Sequence, residues 1–210
     1  MRHIIFDFDG TLADSLPLVI EIAEELLGPL NLSVAEKTRL SNMSMRAVIK
    51  ESGIPYSRIL RLVVKGRTML KQRMSELKII PGLGKEIKTI KIEGYTLYVL
   101  SSNSESNIRS FLKRNELANY FSAVQGNIGL FSKTSALKKF LKVNKIDKSD
   151  CLYVGDEVRD IDSSKKLGIP IISVAWGFNG EKILKESGPD VLIKKPSDLM
   201  AAIKFLGARK

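Results

Sequence analysis

The chain has 210 residues, 44% hydrophobic and 27% charged, which is typical of a globular protein with one elaborated domain or with one domain plus a small second one. No apolar run approaches the roughly 18 residues of a membrane span, and acids at positions 7 and 9 interrupt any signal-peptide pattern. The single cysteine permits no intramolecular disulfide. A cytoplasmic protein without membrane association is therefore expected. The net charge is +11, from 34 basic and 23 acidic residues. We interpret it as a lysine-rich solvated surface, because no aromatic-interleaved basic motif or zinc pattern points to nucleic acid. The charge alone still leaves nucleic acid open as a partner.

Short apolar runs alternate with amphipathic segments along most of the chain. Strands are predicted at residues 3–8, 96–101, 123–125, 151–155, 171–174 and 191–193. Helices are predicted at residues 83–93, 105–115, 133–143, 160–167 and 180–186. Strands and helices that follow one another in turn predict an α/β fold, with a Rossmann-like parallel sheet covered on both faces.

The segment between residues 15 and 78 breaks this alternation. Two apolar stripes at helical spacing occupy it: Leu18, Ile22, Leu26 and Leu27, then Ile59, Val63, Leu70, Met74 and Leu77. Breaks at Gly28-Pro29 and Gly53-Ile54-Pro55 separate short helices. We therefore predict a core of residues 1–14 and 79–210, with a small all-helical cap domain, residues 15–78, inserted after the first strand.

Polar side chains collect where the predicted strands end, which is where ligands bind in an open parallel sheet. The first strand is followed by Asp7, Asp9 and Gly10, the second by Ser101, Ser102 and Asn103, and the fourth by Asp156, Glu157 and Asp160, while Lys133 begins the helix after the third. One edge of the sheet is therefore expected to gather acids, hydroxyl and amide groups, and a lysine.

Each of these groups has a role in phosphoryl transfer. The Asp7 carboxylate can attack phosphorus and form an aspartyl-phosphate, which divides one difficult hydrolysis into two displacements. Asp9, two residues later in an extended chain, falls on the same side as Asp7. It can protonate the leaving oxygen and then deprotonate the attacking water.

The anions at such a site need a counter-charge. Hard oxygen ligands for Mg²⁺ are available from Asp7, Asp156 and the backbone carbonyl of Asp9. Ser101 and Lys133 can bind the remaining phosphate oxygens, together with Ser102 and Asn103. A glycine, Gly10, allows a sharp turn that brings backbone amides close to the phosphate.

Four stretches resemble, in order and spacing, the signatures of the haloacid dehalogenase superfamily of phosphohydrolases: "DFDGT", "VLSSN", Lys133 in "SKTSALKKF", and "GDEVRD". Residues 79–104 and 174–199 are similar to the branch that contains phosphoglycolate phosphatases, which carries a small helical cap between the first two signatures. The resemblance implies that Asp7 is the nucleophile and Asp9 the acid–base. It assigns Asp156 to the metal and gives Asp160 a supporting role, orienting Lys133 or metal-bound water. The second acid distinguishes the chain from the dehalogenases themselves.

Several of these residues also admit purely structural roles. Asp-Gly is a common turn pair, and Ser101 or Asn103 could cap the following helix, as could Ser104 with Asn107. Glu157 and Trp176 receive no assigned role. Seven basic residues between positions 56 and 78 form either the solvated back of a cap helix or a surface for an anionic substrate: Arg58, Arg61, Lys65, Arg67, Lys71, Arg73 and Lys78.

The sequence thus predicts a Mg²⁺-dependent phosphatase of small phosphate monoesters, with a small phosphorylated metabolite as its partner, as a monomer or homodimer. Two alternatives stay open. A phosphomutase would return the phosphoryl group to a sugar instead of to water. A binding protein on the same fold would use the basic cap to hold an anionic macromolecule, although it would not need both Asp7 and Asp9.

Overall fold

The fold is a parallel sheet with helices on both faces, seen in a computed structural model that describes residues 1–129 and 132–208. Within these ranges, the sheet has six parallel strands: β1 His3–Phe6, β4 Thr96–Leu100, β5 Phe121–Gln125, β6 Cys151–Gly155, β7 Ile171–Val174 and β8 Val191–Ile193. Their order in the sheet is β5-β4-β1-β6-β7-β8. The central strand β1 therefore ends beside the ends of β4 and β6, which brings the predicted site residues to one edge.

In the described residues, five helices between these strands pack on the two faces of the sheet. They are α5 Leu83–Ile92, α6 Glu105–Arg114, α7 Lys133–Val143, α8 Val158–Leu167 and α9 Glu181–Glu186. The strands are apolar throughout because alternate residues enter two cores: Ile4 and Phe6 lie in one, and Ile5 lies in the other with Tyr153. The predicted fold class is confirmed.

Helix α10, Leu199–Ala208, was not among the predicted helices. Its buried residues Leu199, Ala202, Ile203 and Leu206 follow helical spacing and join the larger core. The signal was therefore present in the sequence. In the described ranges, no helix combines the length and hydropathy that crossing a membrane requires.

The inserted segment contains four helices, α1 Leu16–Leu27, α2 Val34–Ser41, α3 Met45–Glu51 and α4 Tyr56–Gln72. A two-stranded antiparallel ladder, β2 Ala13–Asp14 with β3 Lys78–Ile79, lies at its two junctions with the core. This ladder was not predicted. The assignment of Leu27 to the first apolar stripe was wrong, since Leu27 is exposed and lies about half a turn from Leu18 on the helix.

Helices α1 and α4 pack against each other. Gly66 of α4 allows close approach, because a Cβ there would lie 3.7 Å from Ile22 and 3.8 Å from Leu26. Arg73 then ties the pair together through ion pairs with Glu21, Glu25 and Glu76, at 2.5, 2.9 and 2.7 Å. One of the seven basic residues of this region is thus structural.

Candidate active site

Asp7 follows β1 directly and is almost completely buried, with 2% of its surface exposed. Its backbone N–H continues the sheet by donating to the Val154 carbonyl at 2.9 Å. Its Oδ1 accepts a hydrogen bond from the Phe8 N–H at 2.8 Å, and its Oδ2 accepts one from Lys133 Nζ at 2.6 Å. The carboxylate is therefore held in one orientation at the strand end.

Lys133 begins α7 and is 3% exposed. Its ammonium forms ion pairs with Asp7 and Asp160 and lies 5.2 Å from the centre of the Tyr153 ring. Burial lowers the pKa of Lys133, but Asp160 and Asp7 more than offset this, so the pKa lies well above its usual value. The side chain is a fixed positive charge at neutral pH.

Asp160, in the first turn of α8, is the second partner of Lys133. Its Oδ2 accepts a hydrogen bond from the Glu157 N–H at 3.0 Å, which caps the helix. Burial raises the pKa of Asp160 to about 6, against the opposing effect of Lys133. Asp160 therefore lies against Lys133, and its orienting role stays a prediction.

Asp156 follows β6 and is completely buried. Its Oδ1 accepts a hydrogen bond from Thr11 Oγ1 at 2.7 Å, and its Oδ2 accepts one from the Phe178 N–H at 2.8 Å. Burial raises the pKa of Asp156 well above its usual range, as do the neighbouring carboxylates of Glu157, Asp160 and Asp7. The Asp156 carboxyl group is thus fixed in position, and the charged groups that raise its pKa are other carboxylates.

Gly10 and Gly177 make room for this carboxyl group. A Cβ on either glycine would overlap the Asp156 side chain, and Gly10 also has a φ of +73°. Both loops can pass close to Asp156 only because these positions lack side chains. The "DFDGT" glycine was predicted to make a turn, whereas Gly177 was missed.

Asp9 is half-buried in the turn after β1. Asn103 Nδ2 donates to both of its carboxylate oxygens, each at 3.1 Å. Desolvation and the Asp7 charge raise the pKa of Asp9 to about 6, although the Asn103 hydrogen bond acts to lower it. A carboxyl group with such a pKa can both give and take a proton near neutral pH.

The end of β4 places Ser101 and Asn103 in the site. Ser101 is completely buried, and its Oγ accepts a hydrogen bond from the Asn103 N–H at 3.1 Å. Ser102 lies between them and is half-buried. The helix cap of α6 is Ser104, whose Oγ accepts from the Asn107 N–H. Capping is therefore done by Ser104, and the Ser101 and Asn103 side chains point to other partners.

Three buried carboxylates, those of Asp7, Asp156 and Asp160, offer oxygens that lie within 4.8 Å of one another. Hard carboxylate oxygens are the donors that Mg²⁺ prefers. All three carboxylates also accept hydrogen bonds or ion pairs from the protein, and Asp7 and Asp156 are the two that belong to the set proposed from sequence. The predicted metal contribution of Asp9 is through its backbone carbonyl, so its carboxylate is not expected in this group.

Three further residues connect the site to its surroundings. Glu157 forms an ion pair with Arg159 at 2.5 Å and is the N-cap of α8. Trp176 donates its indole N–H to the Thr11 carbonyl at 3.2 Å and packs on the core, which is a loop-packing role. Thr11 belongs to the "DFDGT" signature but received no role from the sequence. Its hydroxyl contact with Asp156 spans 145 residues, and no local pattern indicates such a contact.

Comparison with known proteins identifies the family. The chain matches the family model described as haloacid dehalogenase-like hydrolase over residues 4–174. The phosphoglycolate phosphatase of Synechococcus elongatus is 34% identical over 209 residues, which cover 98% of this chain and 99% of that protein. The chain belongs to the haloacid dehalogenase-like hydrolase family. A phosphoglycolate phosphatase of Aquifex aeolicus is 27% identical, over 95% of both chains.

Solved structures show the same fold. A protein from Clostridium acetobutylicum, described as a predicted phosphatase, has a TM-score of 0.81 at 22% identity, covering 96% of this chain and 97% of its own. A haloacid dehalogenase-like hydrolase from Streptococcus pneumoniae has a TM-score of 0.79 at 21% identity, covering 97% and 98%. The predicted superfamily and the prediction of a phosphatase hydrolase are both confirmed.

Proposed function

We propose that the chain hydrolyses small phosphate monoesters through an aspartyl-phosphate on Asp7, with Mg²⁺ as its cofactor. The observation that carries this proposal is the placement of Lys133 Nζ 2.6 Å from the Asp7 carboxylate in a site that also contains Asp156. A buried carboxylate nucleophile beside a fixed ammonium is suited to attack on a phosphate dianion, because the ammonium offsets the repulsion between the two anions.

In the first half of the reaction, an Asp7 oxygen forms a bond to phosphorus while the ester P–O bond breaks. The leaving oxygen takes the proton of Asp9, whose pKa of about 6 favours this exchange near neutral pH. In the second half, Asp9 removes a proton from water as the water oxygen attacks phosphorus. The bond between Asp7 and phosphorus then breaks and regenerates the carboxylate. Ser101, Ser102, Asn103, Lys133 and the turn at Gly10 are proposed to bind the phosphate oxygens.

The residues fit a divalent cation. Burial and three neighbouring carboxylates raise the pKa of Asp156, so a cation would relieve unfavourable charge there. The Asp7 and Asp156 carboxylates and the Asp9 backbone carbonyl would hold Mg²⁺, with Asp160 supporting Lys133. When bound, the ion would neutralise charge on the phosphate and on the carboxylates.

The leaving group is proposed to lie in a cavity of about 250 Å³ between α3 and α8. Lys133 lines it from the core, next to Asp7, and Arg46, Arg159 and Lys166 add positive charge that exceeds the negative charge of the two acids in the lining, Glu157 and Asp162. A leaving group with its own carboxylate would suit this lining, as in the reaction that gives the Synechococcus relative its name. The substrate class is therefore a small acidic metabolite phosphate.

The remaining assignments are part of the same proposal. The cap, residues 15–78, would close over the core of residues 1–14 and 79–210, exclude water and contact the leaving group. The cytoplasm is the proposed compartment, and a monomer or homodimer the proposed state.

The test is phosphate release from a panel of metabolite phosphates that includes 2-phosphoglycolate, with Mg²⁺ present. Asp7→Asn should remove turnover, because a neutral amide does not attack phosphorus. Asp198→Asn, the same change in the 3-10 helix Pro196–Asp198, should keep it. Failure of the folded wild-type chain to release phosphate from any substrate would reject the proposal.

A further inference from the structure

The side-chain amide of Asn103 faces Asp9 with its nitrogen. An amide group has a donor end and an acceptor end of nearly equal shape, so its hydrogen-bond partners decide which end points where. Both Asp9 oxygens lie 3.1 Å from Asn103 Nδ2, and the ionised carboxylate, the form that would take a proton from water, only accepts hydrogen bonds. Turning the amide by half a rotation would place Asn103 Oδ1 against the Asp9 carboxylate and repel it.

Two donors hold the other end of the amide. Asn103 Oδ1 accepts a hydrogen bond from the Ser104 N–H at 2.8 Å and another from Asn107 Nδ2 at 3.0 Å. The Ser104 donor is a backbone group at the helix cap, so every substitution except proline retains it. Asn107 is the one of the two whose contribution a side-chain change can remove or reverse.

Asn107 occupies a position that packing alone does not explain. It lies in the first turn of α6 and is 5% exposed, among the buried residues Ile108, Phe111 and Leu112 of the same helix. Asparagine is a weak helix former, and burying its amide costs free energy unless the amide is hydrogen-bonded. The partner it finds there is Asn103, which in turn contacts Asp9.

We propose that Asn107 is a positioning residue for the acid–base Asp9, acting through the orientation of the Asn103 amide. The proposal rests on the acid–base role given to Asp9 above. Asn107 touches neither Asp9 nor substrate. It fixes which end of Asn103 meets the Asp9 carboxylate, and therefore where that carboxylate stands during proton transfer.

Two substitutions at position 107 separate orientation from packing. Asn107→Ala removes one donor and leaves the Ser104 N–H, so the Asn103 amide should keep its orientation and the rate should fall only about twofold to fivefold. Asn107→Asp has nearly the same shape but presents acceptors to Asn103 Oδ1, so it repels the oxygen that the Ser104 N–H still binds, and the amide should lose its single orientation. Its rate on an alkyl phosphate should fall roughly 100-fold, which is the scale of losing acid–base catalysis.

The dependence on the leaving group gives a readout that a purely structural defect would not produce. An aryl phosphate with a strong electron-withdrawing group needs little protonation of its leaving oxygen, so Asn107→Asp should form the phosphoenzyme on it readily and then stall. We expect a burst of phenolate followed by slow turnover, as for Asp9→Asn. Equal losses on both substrates with no burst would overturn the proposal, as would a larger loss for Asn107→Ala than for Asn107→Asp.

The matched control is Asn115, at the C-terminal end of the same helix. Asn115 ends α6, and its Nδ2 donates to the Phe111 carbonyl at 2.8 Å. Asn115→Asp should keep both rates within about twofold of wild type, as expected for a substitution away from the site. If it gives the same burst and the same losses as Asn107→Asp, the effect is not one of amide orientation.

A readout independent of activity keeps this proposal separate from the proposed function. The side-chain NH₂ resonances of Asn103 should shift in Asn107→Asp and stay in place in Asn115→Asp, because only the former changes the partners of that amide. Unmoved resonances would overturn the positioning role. If Asp9→Asn itself shows no dependence on the leaving group, the acid–base assignment of Asp9 fails, whereas the resonances still decide whether Asn107 orients Asn103.

Discussion

Lys133 Nζ lies 2.6 Å from Asp7 Oδ2, although 126 residues separate the two in the chain. Both side chains are almost completely buried, and Asp160 completes the cluster on the other side of the ammonium. One buried positive charge therefore stands between two buried carboxylates. In the proposed mechanism, this contact orients Asp7 for attack on phosphorus.

Lys133→Met should cost both stability and activity. Methionine has similar length but no charge, so Asp7 and Asp160 would remain buried without a partner, and the free energy of unfolding should fall by about 3 kcal/mol. Urea denaturation measures this loss. Lys138→Met, an exposed position of the same helix, should change stability by less than about 0.5 kcal/mol. Adding Asp160→Asn to Lys133→Met should recover part of the stability but no turnover; no recovery would contradict the pairing of these two residues.

Removal of divalent cations should abolish phosphatase activity. EDTA should abolish phosphate release and added Mg²⁺ should restore it, because a cation would balance the buried like charges of Asp7 and Asp156. Ca²⁺ should inhibit, since its larger and more flexible coordination can engage both Asp7 oxygens. Asp156→Ala should raise the Mg²⁺ concentration needed for half-maximal rate at least about tenfold. Equal rates with and without Mg²⁺ after exhaustive chelation would contradict the metal assignment.

Gly177→Ala should disturb the Asp156 carboxylate. The new Cβ would overlap the Asp156 side chain, so the loop or the carboxyl group must shift, at a cost of about 1–3 kcal/mol. We expect a lower Tm in a thermal melt and a raised Mg²⁺ requirement. Gly207→Ala in α10 is the control, because a Cβ there meets nothing within 4 Å. If Gly177→Ala leaves both Tm and the Mg²⁺ requirement unchanged, the loop does not constrain Asp156.

The sheet could be predicted well because its strands are short apolar runs separated by clear breaks. Predicted strand bounds of 96–101 and 171–174 compare with Thr96–Leu100 and Ile171–Val174. The first strand was predicted two residues too long, because Asp7 and Phe8 continue its alternation although the strand ends at Phe6. The β2–β3 ladder escaped prediction since two-residue strands carry no periodicity.

The position of a site residue could be predicted where that residue lies at a strand end. A contact could not be predicted where it depends on a loop that is distant in the sequence. Asp7 and Asp156 follow strands, so the topology alone brings them together. The Phe178 N–H and Gly177, which hold and accommodate Asp156, lie in a loop whose path no pattern indicates. Asn107 was noticed only as a helix-capping candidate, because its contact with Asn103 requires the turn of α6 to be placed first.

Asn179→Ala should loosen the contact between the α2–α3 turn and the core. Asn179 Nδ2 donates to the carbonyls of Ser41 and Met43 at 3.1 and 2.9 Å, and its Oδ1 accepts from the Val158 N–H at 2.9 Å. Losing these bonds should speed proteolytic cleavage near residues 41–44 about tenfold, the effect of roughly 1.4 kcal/mol in local opening.

The control for this variant is Asn144→Ala. The side-chain amide of Asn144 donates to the Phe140 carbonyl at 2.9 Å, at the C-terminal end of α7. Cleavage of Asn144→Ala near residues 41–44 should match wild type. The Gly180 N–H still donates to the Ser41 carbonyl in Asn179→Ala, so opening should be partial and the fold retained. Unchanged cleavage of Asn179→Ala would show that this contact does not hold the turn against the core.

The most direct measurement is the location of the phosphoryl group on the enzyme. Asp9→Asn mixed with an activated aryl phosphate and Mg²⁺ should accumulate phosphoenzyme, because Asp7 can still attack but water has lost its base. After an acid quench, peptide mass spectrometry should find the phosphoryl group on Asp7, in an amount that matches the phenolate burst. A phosphoryl group on any other residue, or normal turnover by folded Asp7→Asn protein, would contradict Asp7 as the nucleophile.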